Sequence, residues 1–311
     1  MMRICLFGDF DPSYSRNRVL RKGLQEAGAE VRLCVTREKG WRRMSDLYRS
    51  YRALPAHDLL LVGYSDSRSM VPFARIISSV PVVWDAFYSL YDSLVADRVL
   101  VSRANPKAWW YWLADYMSVH LAHRVLLDTK AHIAYFSRTF FASPERFSRV
   151  FVGTDDSLFN TTNGAQPTHT PLVVGFYGKY IPLQGVDVII RAAHLLSARK
   201  DIRFVLLGSG QTYSQVRDLA ATLKTENVEF LPRIPYEEMP AFFASFDIAL
   251  GIFGVTDKAA RAIPNKVYDA MATGKPIITS DTPAIRELLR HGYDAYLVPR
   301  GDPRALAGAI E

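Results

Sequence analysis

The chain has little cysteine and no long apolar run. Cys5 and Cys34 are the only cysteines among 311 residues. Each lies in a short apolar segment, which excludes a disulfide framework and predicts buried, reduced thiols typical of the cytosol. No stretch approaches the ~18 apolar residues of a membrane span, and the apolar segment before Asp9 is too short for the core of a signal peptide. We expect a cytoplasmic protein that is soluble or, at most, peripheral to the inner face of a membrane.

Several catalytic signatures are also missing. The sequence has no G-x-S-x-G elbow, no G-x-x-x-x-G-K-[ST] loop and no H-E-x-x-H motif, which removes the usual support for hydrolase, P-loop and zincin functions. His120 and His123 stand three residues apart on a predicted helix, but no acidic or cysteine partner accompanies them at metal-site spacing. We therefore expect no metal site and no resident cofactor.

Charge is unevenly distributed along an otherwise ordinary globular composition. The net charge is +7, and residues 1–160 hold 22 basic and 16 acidic residues, whereas the remainder holds 16 and 15. A positive field of this size suits phosphorylated ligands, nucleic acid or an anionic membrane surface. Because no nucleic-acid recognition motif is visible, we expect no nucleic-acid partner.

Apolar strand-like runs alternate with helix-length segments, which predicts an α/β protein with parallel sheets. In the first half these runs are Arg3–Gly8, Glu30–Val35, 57–63, 80–85 and 124–128. A polar stretch with Gly and Pro then interrupts the alternation, so we predict an N-terminal domain over 1–160, a linker over 161–170 and a C-terminal domain over 171–311. Two Rossmann-like domains in tandem also fit a length of about twice ~150 residues.

The alternation resumes after the predicted linker. Strands are predicted over 172–177, 203–207, 228–231, 248–253, 276–279 and 295–298, and helices over 186–197, 236–246, 265–272 and 284–290. Ligands of open parallel sheets bind beyond the carboxyl ends of the strands. The loops after these strands are therefore the places to look for chemistry.

Two glycine-containing loops follow strands of the second domain. In Gly178–Gly185 (G-K-Y-I-P-L-Q-G), the amides of a helix start and the cation of Lys179 would suit a diphosphate, although an ordinary turn with a solvated lysine has the same spacing. Gly208-Ser209-Gly210 lacks the third glycine of a dinucleotide fingerprint but fits a tight turn beside a nucleotide.

The stretch 261–276 is the most informative in the chain. Pro264 and Asn265 suit a helix start, which places Lys266 in the first turn and Asp269 nearly one turn further on. A carboxylate there can accept both hydroxyls of a ribose, and the lysine can meet a phosphate. The alternative is a surface ion pair without a ligand.

Together these segments resemble the donor domain of the large group 1 family of retaining GT-B glycosyltransferases. The matching segments, spread over 172–310, are 178–179, 184–185, 208–210, 264–276 and 283–288. The first half resembles the family more loosely, through Gly8, 14–17, Asp85 and 152–155. The resemblance implies a GT-B fold with two Rossmann-like domains facing a central cleft, the nucleotide-sugar bound on the second domain and the acceptor on the first.

The resemblance also assigns donor-site roles. It places the donor phosphates at Gly8, Lys179, Gln184, Gly185 and Lys266, the ribose at Asp269, the base at Gly208, Gly210, Arg233 and Ile234, and the donor sugar at Phe253, Gly254 and Arg261. Some of these positions depart from the family pattern. Lys179 stands at the usual arginine and Gln184 at the usual lysine, while Arg261 and Asp269 replace the two glutamates of the E-x7-E element. Lys266 is expected to supply the charge that Gln184 lacks.

The catalytic loop departs further. Many relatives carry a histidine after the fourth strand, whereas this chain reads W-D-A-F-Y over 84–88. Asp85 is the nearest polar group, and Arg16 in the 14–17 segment is expected to help neutralise the diphosphate, so these two are the catalytic candidates. The alternative is a strand-end carboxylate that caps a loop. In the family the leaving diphosphate is thought to deprotonate the acceptor, so a strong protein base is not required.

Two further stretches carry interleaved aromatic and basic residues. Residues 37–52 fit either a helix packed through its apolar side or an interfacial helix that contacts anionic lipid. Residues 107–112 (K-A-W-W-Y-W) fit either a packing face or a site for lipid or sugar rings. Both pairs of alternatives stay open from the sequence.

The function that the sequence predicts is therefore a metal-independent, retaining hexosyltransferase. It would move a sugar from a nucleotide-diphosphate donor to a cell-surface glycan or a lipid-linked acceptor. The alternatives are a non-catalytic nucleotide-sugar or glycan-binding module and a GT-B nucleotide-sugar epimerase. Relatives continue through further helices beyond the point matching 305–311, so the resemblance also implies a shortened donor domain.

Overall fold

The predicted apolar runs form the strands of two separate parallel sheets. The computed structural model describes residues 1–161 and 170–311, which divide into a first unit, Met1–Val152, and a second unit, Gly153–Glu311. Each unit contains one six-stranded sheet with helices between successive strands. The prediction of an α/β chain with two Rossmann-like sheets is confirmed.

In the first unit the chain forms six strands and five α-helices. The strands are β1 Arg3–Gly8, β2 Glu30–Val35, β3 Leu59–Val62, β4 Val82–Phe87, β5 Arg124–Leu127 and β6 Phe147–Arg149. The helices are α1 Ser15–Glu26, α2 Arg42–Ala53, α3 Met70–Ile77, α4 Pro106–Leu121 and α5 Lys130–Thr139. A short π-helix, Asp92–Asp97, follows β4. The strand order is β2-β1-β3-β4-β5-β6, so the chain reverses direction across the sheet between β1 and β3.

The core of the first unit lies mainly on one face of its sheet. Side chains from α2, α3, α4 and α5 pack there against alternate strand residues in one apolar cluster, which includes both cysteines. Cys5 and Cys34 are free and buried, as their apolar surroundings predict. A smaller cluster on the opposite face packs α1 residues such as Leu20 against β1.

The described residues of the second unit, 153–161 and 170–311, form six more strands and five more α-helices. The strands are β7 Leu172–Lys179, β8 Ile202–Ser209, β9 Val228–Leu231, β10 Ile248–Leu250, β11 Ile277–Ser280 and β12 Tyr296–Val298. The helices are α6 Val186–Leu195, α7 Tyr213–Thr222, α8 Met239–Ala244, α9 Asn265–Ala272 and α10 Pro303–Ile310. Read from one edge, the sheet order is β9-β8-β7-β10-β11-β12. This is the strand order of dinucleotide-binding domains, with its reversal between β7 and β10.

The helices of the second unit differ from the prediction in two places. The segment 284–290 makes only a 3-10 turn, Ile285–Glu287, because the amide of Arg290 donates to the carboxylate of Asp294 at 2.9 Å instead of continuing a helix. Helix α7 was not predicted, since only Val216 and Ala220 of its residues are buried and its apolar period is correspondingly weak.

The boundary between the units lies before the predicted linker. Most of that linker, residues 162–169, lies outside the described residues. Residues 153–160, predicted as the end of the first domain, pack with the second unit. The ring of Phe159 lies 5.7 Å from that of Phe243 and 5.5 Å from that of Tyr236.

The two aromatic-basic stretches adopt helical structure. Leu47 and Tyr51 pack α2 into the core of the first unit, while Trp41 and Tyr48 are exposed. The ring of Trp112 stacks on Tyr116 with centroids 5.1 Å apart, whereas Trp109 and Trp110 are exposed. Within the described ranges, no helix combines the length and apolarity needed to cross a bilayer.

Candidate functional site

The loop after β7 and the segment after β10 contact each other at the point where the strand order of the second unit reverses. We call residues 178–185 the donor loop. The amide of Phe253 donates to the carbonyl of Gln184 at 3.0 Å, and the amide of Gly254 donates to that of Leu183 at 3.3 Å. These bonds fix the shape of the donor loop at the carboxyl edge of the sheet, where open α/β sheets bind ligands.

Two glycines make this close contact sterically allowed. Gly185 is the N-cap of α6 in a left-handed conformation with φ 62°, and a Cβ there would lie 2.3 Å from the amide nitrogen of Gly254. A Cβ on Gly254 would lie 2.4 Å from the carbonyl oxygen of Pro182. Any larger residue at either position would push the two segments apart.

A buried lysine lies against the donor loop. Lys266, in the first turn of α9, is 5% exposed, and its Nζ donates to Oε1 of Gln184 at 2.6 Å. The same Nζ lies 3.6 Å from the ring centroid of Phe176, and a Cβ at Gly178 would lie 3.0 Å from it. Burial therefore lowers the pKa of Lys266 well below its ordinary value.

The structure brings most of the predicted phosphate-binding residues together. Lys179 ends β7 with its side chain exposed, Gln184 and Lys266 are hydrogen-bonded, and Gly185 begins α6. A cation, loop amides and a helix N-terminus arranged in this way can stabilise an anion such as a diphosphate. Gly8 lies in the first unit, at the carboxyl end of β1.

Asp269 is buried and already engaged. Its carboxylate accepts hydrogen bonds from the hydroxyls of Thr154 and Tyr177, and the residue is 1% exposed. Lys266 and Asp269 therefore do not form the surface ion pair that was the alternative to a ribose site. Both carboxylate oxygens therefore already accept hydrogen bonds from the protein, and the ribose-binding role of Asp269 stays a prediction.

The predicted base-binding and sugar-binding residues are more dispersed. Gly208 pairs with Gly178 in the β7/β8 register, and a Cβ on Gly210 would lie 2.6 Å from the carbonyl oxygen of Tyr180, so both glycines allow β8 to end against the donor loop. Arg233 and Ile234 follow β9, at the edge of the sheet. The Phe253 side chain is wholly buried in the core, and Arg261 lies in a half-buried turn before α9.

A cavity of about 310 Å³ lies beside this site, between the starts of α6 and α7. Its lining shares Gly185 with the predicted site but otherwise consists of other residues, including Asp187, Arg191 and Thr212. The cavity therefore does not mark the predicted base pocket.

In the first unit, Arg16 and Asp85 form a buried ion pair. Nε and Nη2 of Arg16 donate to the carboxylate of Asp85 at 3.0 and 2.8 Å, and the two side chains are 1% and 0% exposed. Nη1 of Arg16 also donates to the carbonyls of Val150 and Phe151 at 2.9 and 3.0 Å. This geometry ties α1 to the ends of β4 and β6, which favours a positioning role for both catalytic candidates.

An aromatic cluster lies at the same carboxyl edge, and the sequence analysis missed it. Its members are Tyr14, Tyr64, Phe87 and Tyr88, with Tyr64 at its centre. The ring of Tyr64 lies 5.0 Å from Tyr14, 5.0 Å from Phe87 and 5.5 Å from Tyr88. Phe87 adopts φ 56°, a conformation that bulky residues rarely hold outside functional regions. The signal was present, since these residues follow β1, β3 and β4.

A buried histidine also lies near this edge. The Nδ1 of His132 pairs with the carboxylate of Asp128, which follows β5. Its Nε2 has no hydrogen-bond partner among the described residues. His132 lies in the first turn of α5 and is 2% exposed.

His120 and His123, the two histidines considered as metal ligands, form hydrogen bonds with backbone groups instead. His120 contacts the carbonyl of Phe140 at 2.9 Å, and Nδ1 of His123 accepts from the amide of Val82 at 2.9 Å. In the part of the chain that the structure describes, no group of three or more His, Cys, Asp or Glu side chains is placed to hold a metal ion.

Comparison with known proteins agrees with this geometry. Residues 171–311 match the family profile described as "Glycosyl transferases group 1". The chain is 29% identical over 157 residues to a phosphatidyl-myo-inositol mannosyltransferase of Mycobacterium leprae, covering 50% of this chain and 40% of that protein. It is 26% identical over 282 residues to a D-inositol 3-phosphate glycosyltransferase of Salinispora tropica, covering 83% of this chain and 57% of that protein. The chain thus spans less than two thirds of either relative.

Solved structures extend the likeness over both units. The crystal structure of Anabaena Alr3699/HepE in complex with UDP and glucose is similar with a TM-score of 0.67 at 16% identity, covering 100% of this chain and 89% of that one. At this identity the likeness concerns the fold. The chain has the GT-B fold of two Rossmann-like units, and its residues 171–311 match the profile of the group 1 glycosyltransferases.

Proposed function

We propose that the protein transfers a sugar, with retention of configuration, from a nucleoside-diphosphate sugar to a glycan or lipid-linked acceptor. The observation that carries this proposal is the buried amine of Lys266 against the glycine-bearing donor loop, at the strand reversal of the second unit. The match of residues 171–311 to the group 1 profile and the UDP and glucose held by the Anabaena neighbour support a nucleotide-sugar donor.

The donor half of the mechanism follows from charge. When the bond between the sugar C1 and the diphosphate oxygen breaks, negative charge grows on the diphosphate. Lys266, Lys179 and the N-terminus of α6 would stabilise that charge, which is the largest contribution a protein makes to such a step. We propose that these groups act without a metal ion.

The acceptor half rests on the first unit. The aromatic cluster offers ring faces on which the apolar face of a sugar can stack, and Tyr14 is 38% exposed. The Arg16–Asp85 pair would hold the end of β4 beneath it. The acceptor oxygen forms the new bond to C1, and its proton passes to the departing diphosphate oxygen, so retention needs no strong protein base.

A calorimetric titration tests the donor site. The protein is titrated with UDP, GDP, ADP, dTDP and CMP without added metal, alongside Lys266→Met and a matched control, Lys200→Met, which removes an exposed lysine of the same unit. Binding of one nucleoside diphosphate that Lys266→Met weakens and Lys200→Met preserves supports the proposal. Equal binding by all three proteins places the nucleotide elsewhere.

Product analysis separates the alternatives. With the bound nucleotide's sugar conjugates, transfer to an added glycan or lipid-linked acceptor supports the enzyme. Binding without transfer indicates a nucleotide-sugar binding module. Conversion of the sugar without acceptor indicates an epimerase.

A further inference from the structure

Helix α4 has two apolar faces. Its inner face packs Trp112 and Val119 into the core of the first unit, and Ala108 is buried. Its outer face presents Trp109, Trp110, Leu113 and Met117, which are 69%, 64%, 42% and 41% exposed. At 100° per residue these four positions fall within one stripe roughly 100° wide, opposite the core.

An outer face of this kind is unusual for a helix of a globular domain. Such helices place polar residues toward solvent, and contiguous exposed apolar side chains mark interaction surfaces. The elements on either side of α4 also carry exposed apolar side chains. Ile76 near the end of α3 is 82% exposed and Phe141 just after α5 is 77% exposed, and both helices pack beside α4.

The charge around the outer face has one sign. Between residues 98 and 143 the exposed charged side chains are all basic: Arg103, Lys107, Arg124, Lys130 and Arg138. The two acidic residues of this span, Asp115 and Asp128, are buried and paired with Arg68 and His132. The first unit as a whole carries 22 basic and 14 acidic residues, a net charge of +8.

We propose that the outer face of α4 docks the first unit onto an anionic lipid bilayer. Tryptophan side chains favour the membrane interface, and nearby lysines and arginines attract anionic headgroups. A second copy of the chain is a poorer occupant, because two equally basic surfaces would repel each other. Helix α2 packs on the same face of the sheet with exposed Trp41 and several arginines, so it extends the same basic side.

The docking surface is independent of the nucleotide site and is tested by binding alone. The 311-residue protein is floated with phosphatidylcholine vesicles and with vesicles that also contain phosphatidylglycerol. The test variant is Trp109→Ser with Trp110→Ser. The control is Leu195→Ser with Tyr293→Ser, two exposed apolar residues of the second unit at 49% and 78% exposure.

We expect binding to the anionic vesicles that weakens with salt and is at least about tenfold weaker for the tryptophan variant, with the control unchanged. Arg103→Glu with Lys107→Glu should weaken it similarly, which guards against misfolding of the first variant. Equal vesicle binding by the tryptophan variant and the unaltered protein would overturn the proposal. So would absence of binding to anionic vesicles, or a dimer in sedimentation velocity that the tryptophan variant abolishes while vesicle binding persists.

Discussion

Lys266 places its side-chain amine where water scarcely reaches. Its contacts are the amide oxygen of Gln184 and the ring of Phe176, and neither is an anion. Desolvation therefore dominates, and the pKa of Lys266 lies well below its ordinary value. A bound diphosphate would supply the missing negative charge and raise that pKa again.

Nucleotide binding should therefore be accompanied by proton uptake. At a pH above the lowered pKa of Lys266, titrations in buffers of different ionisation enthalpy should show up to one proton taken up per bound nucleoside diphosphate, and affinity should fall as the pH rises through that pKa. Lys266→Met should remove the uptake and Lys200→Met should retain it. Identical uptake in Lys266→Met would assign the proton to another group.

The same lysine sets a pH dependence of stability. Between its lowered pKa and its ordinary value near ~10.4, the unfolded chain binds more protons than the folded chain at this site. The free energy of unfolding should therefore gain an increment from Lys266 as the pH rises through that window. Denaturant unfolding across the alkaline range should show this increment in the unaltered protein and not in Lys266→Met. A stability difference between the two proteins that does not change with pH would contradict it.

Unlike Lys266, Arg16 is buried together with a group of opposite charge, the carboxylate of Asp85. Arg16→Met should lower the free energy of unfolding by about 3–5 kcal/mol, since it leaves a buried carboxylate unpaired. The control is Arg3→Met, which breaks an exposed pair with Asp58 and should cost about 0–1 kcal/mol. Urea unfolding measures both. A small loss in Arg16→Met would mean that water reaches Asp85.

At the scale of elements, the donor loop and the segment after β10 hold each other in place, because their backbones are hydrogen-bonded. Gly185→Ala should destabilise the protein by about 2–4 kcal/mol, because it combines a strained left-handed residue with a Cβ 2.3 Å from Gly254. Gly308→Ala, in the exposed face of α10 with open space around it, should instead stabilise by roughly 0.5–1 kcal/mol. Thermal unfolding of the two variants measures the contrast, and equal effects would contradict the contact.

The elements also show what the sequence could predict. The bounds of β1, β2, β9 and α9 agree with prediction, because the three strands are short segments rich in apolar residues and α9 begins at a clear helix start. Helix α7 is not evident from the sequence because its apolar period is weak. The turn at 285–287 resembles a helix in sequence because the side chain of Asp294, which accepts from the amide of Arg290, is four residues further along the chain.

At the scale of the whole molecule, the sequence reveals more of the donor site in the second unit than of the paired and aromatic residues in the first unit. The order and spacing of the family-like segments predict Lys266 and Gln184 in one donor site, although the two hydrogen-bonded residues are 82 positions apart in the sequence. The pairing of Arg16 with Asp85 and Val150 was not foreseen, because it joins parts of the chain that no motif links and depends on the strand order. The aromatic cluster likewise emerges only when β1, β3 and β4 lie side by side.

The two units have separate proposed roles, so variants of the first unit should change the acceptor KM and variants of the second should change nucleotide affinity. Tyr14→Ala should raise the KM for a glycan acceptor by about tenfold without changing nucleotide affinity, because it removes the exposed ring of the aromatic cluster. Tyr14→Phe, which keeps the ring, should behave like the unaltered protein. A change in nucleotide affinity in Tyr14→Ala, with acceptor KM unchanged, would contradict this division.

Hydrogen exchange tests the central claim most directly, because it locates the bound nucleotide along the chain. The protein is exchanged with and without the nucleoside diphosphate that binds it, and peptides are read by mass spectrometry. We expect the bound nucleotide to slow exchange mainly in residues 178–186 and 264–269, around the donor loop and the start of α9. Protection confined to the first unit, with these two segments unchanged, would contradict it.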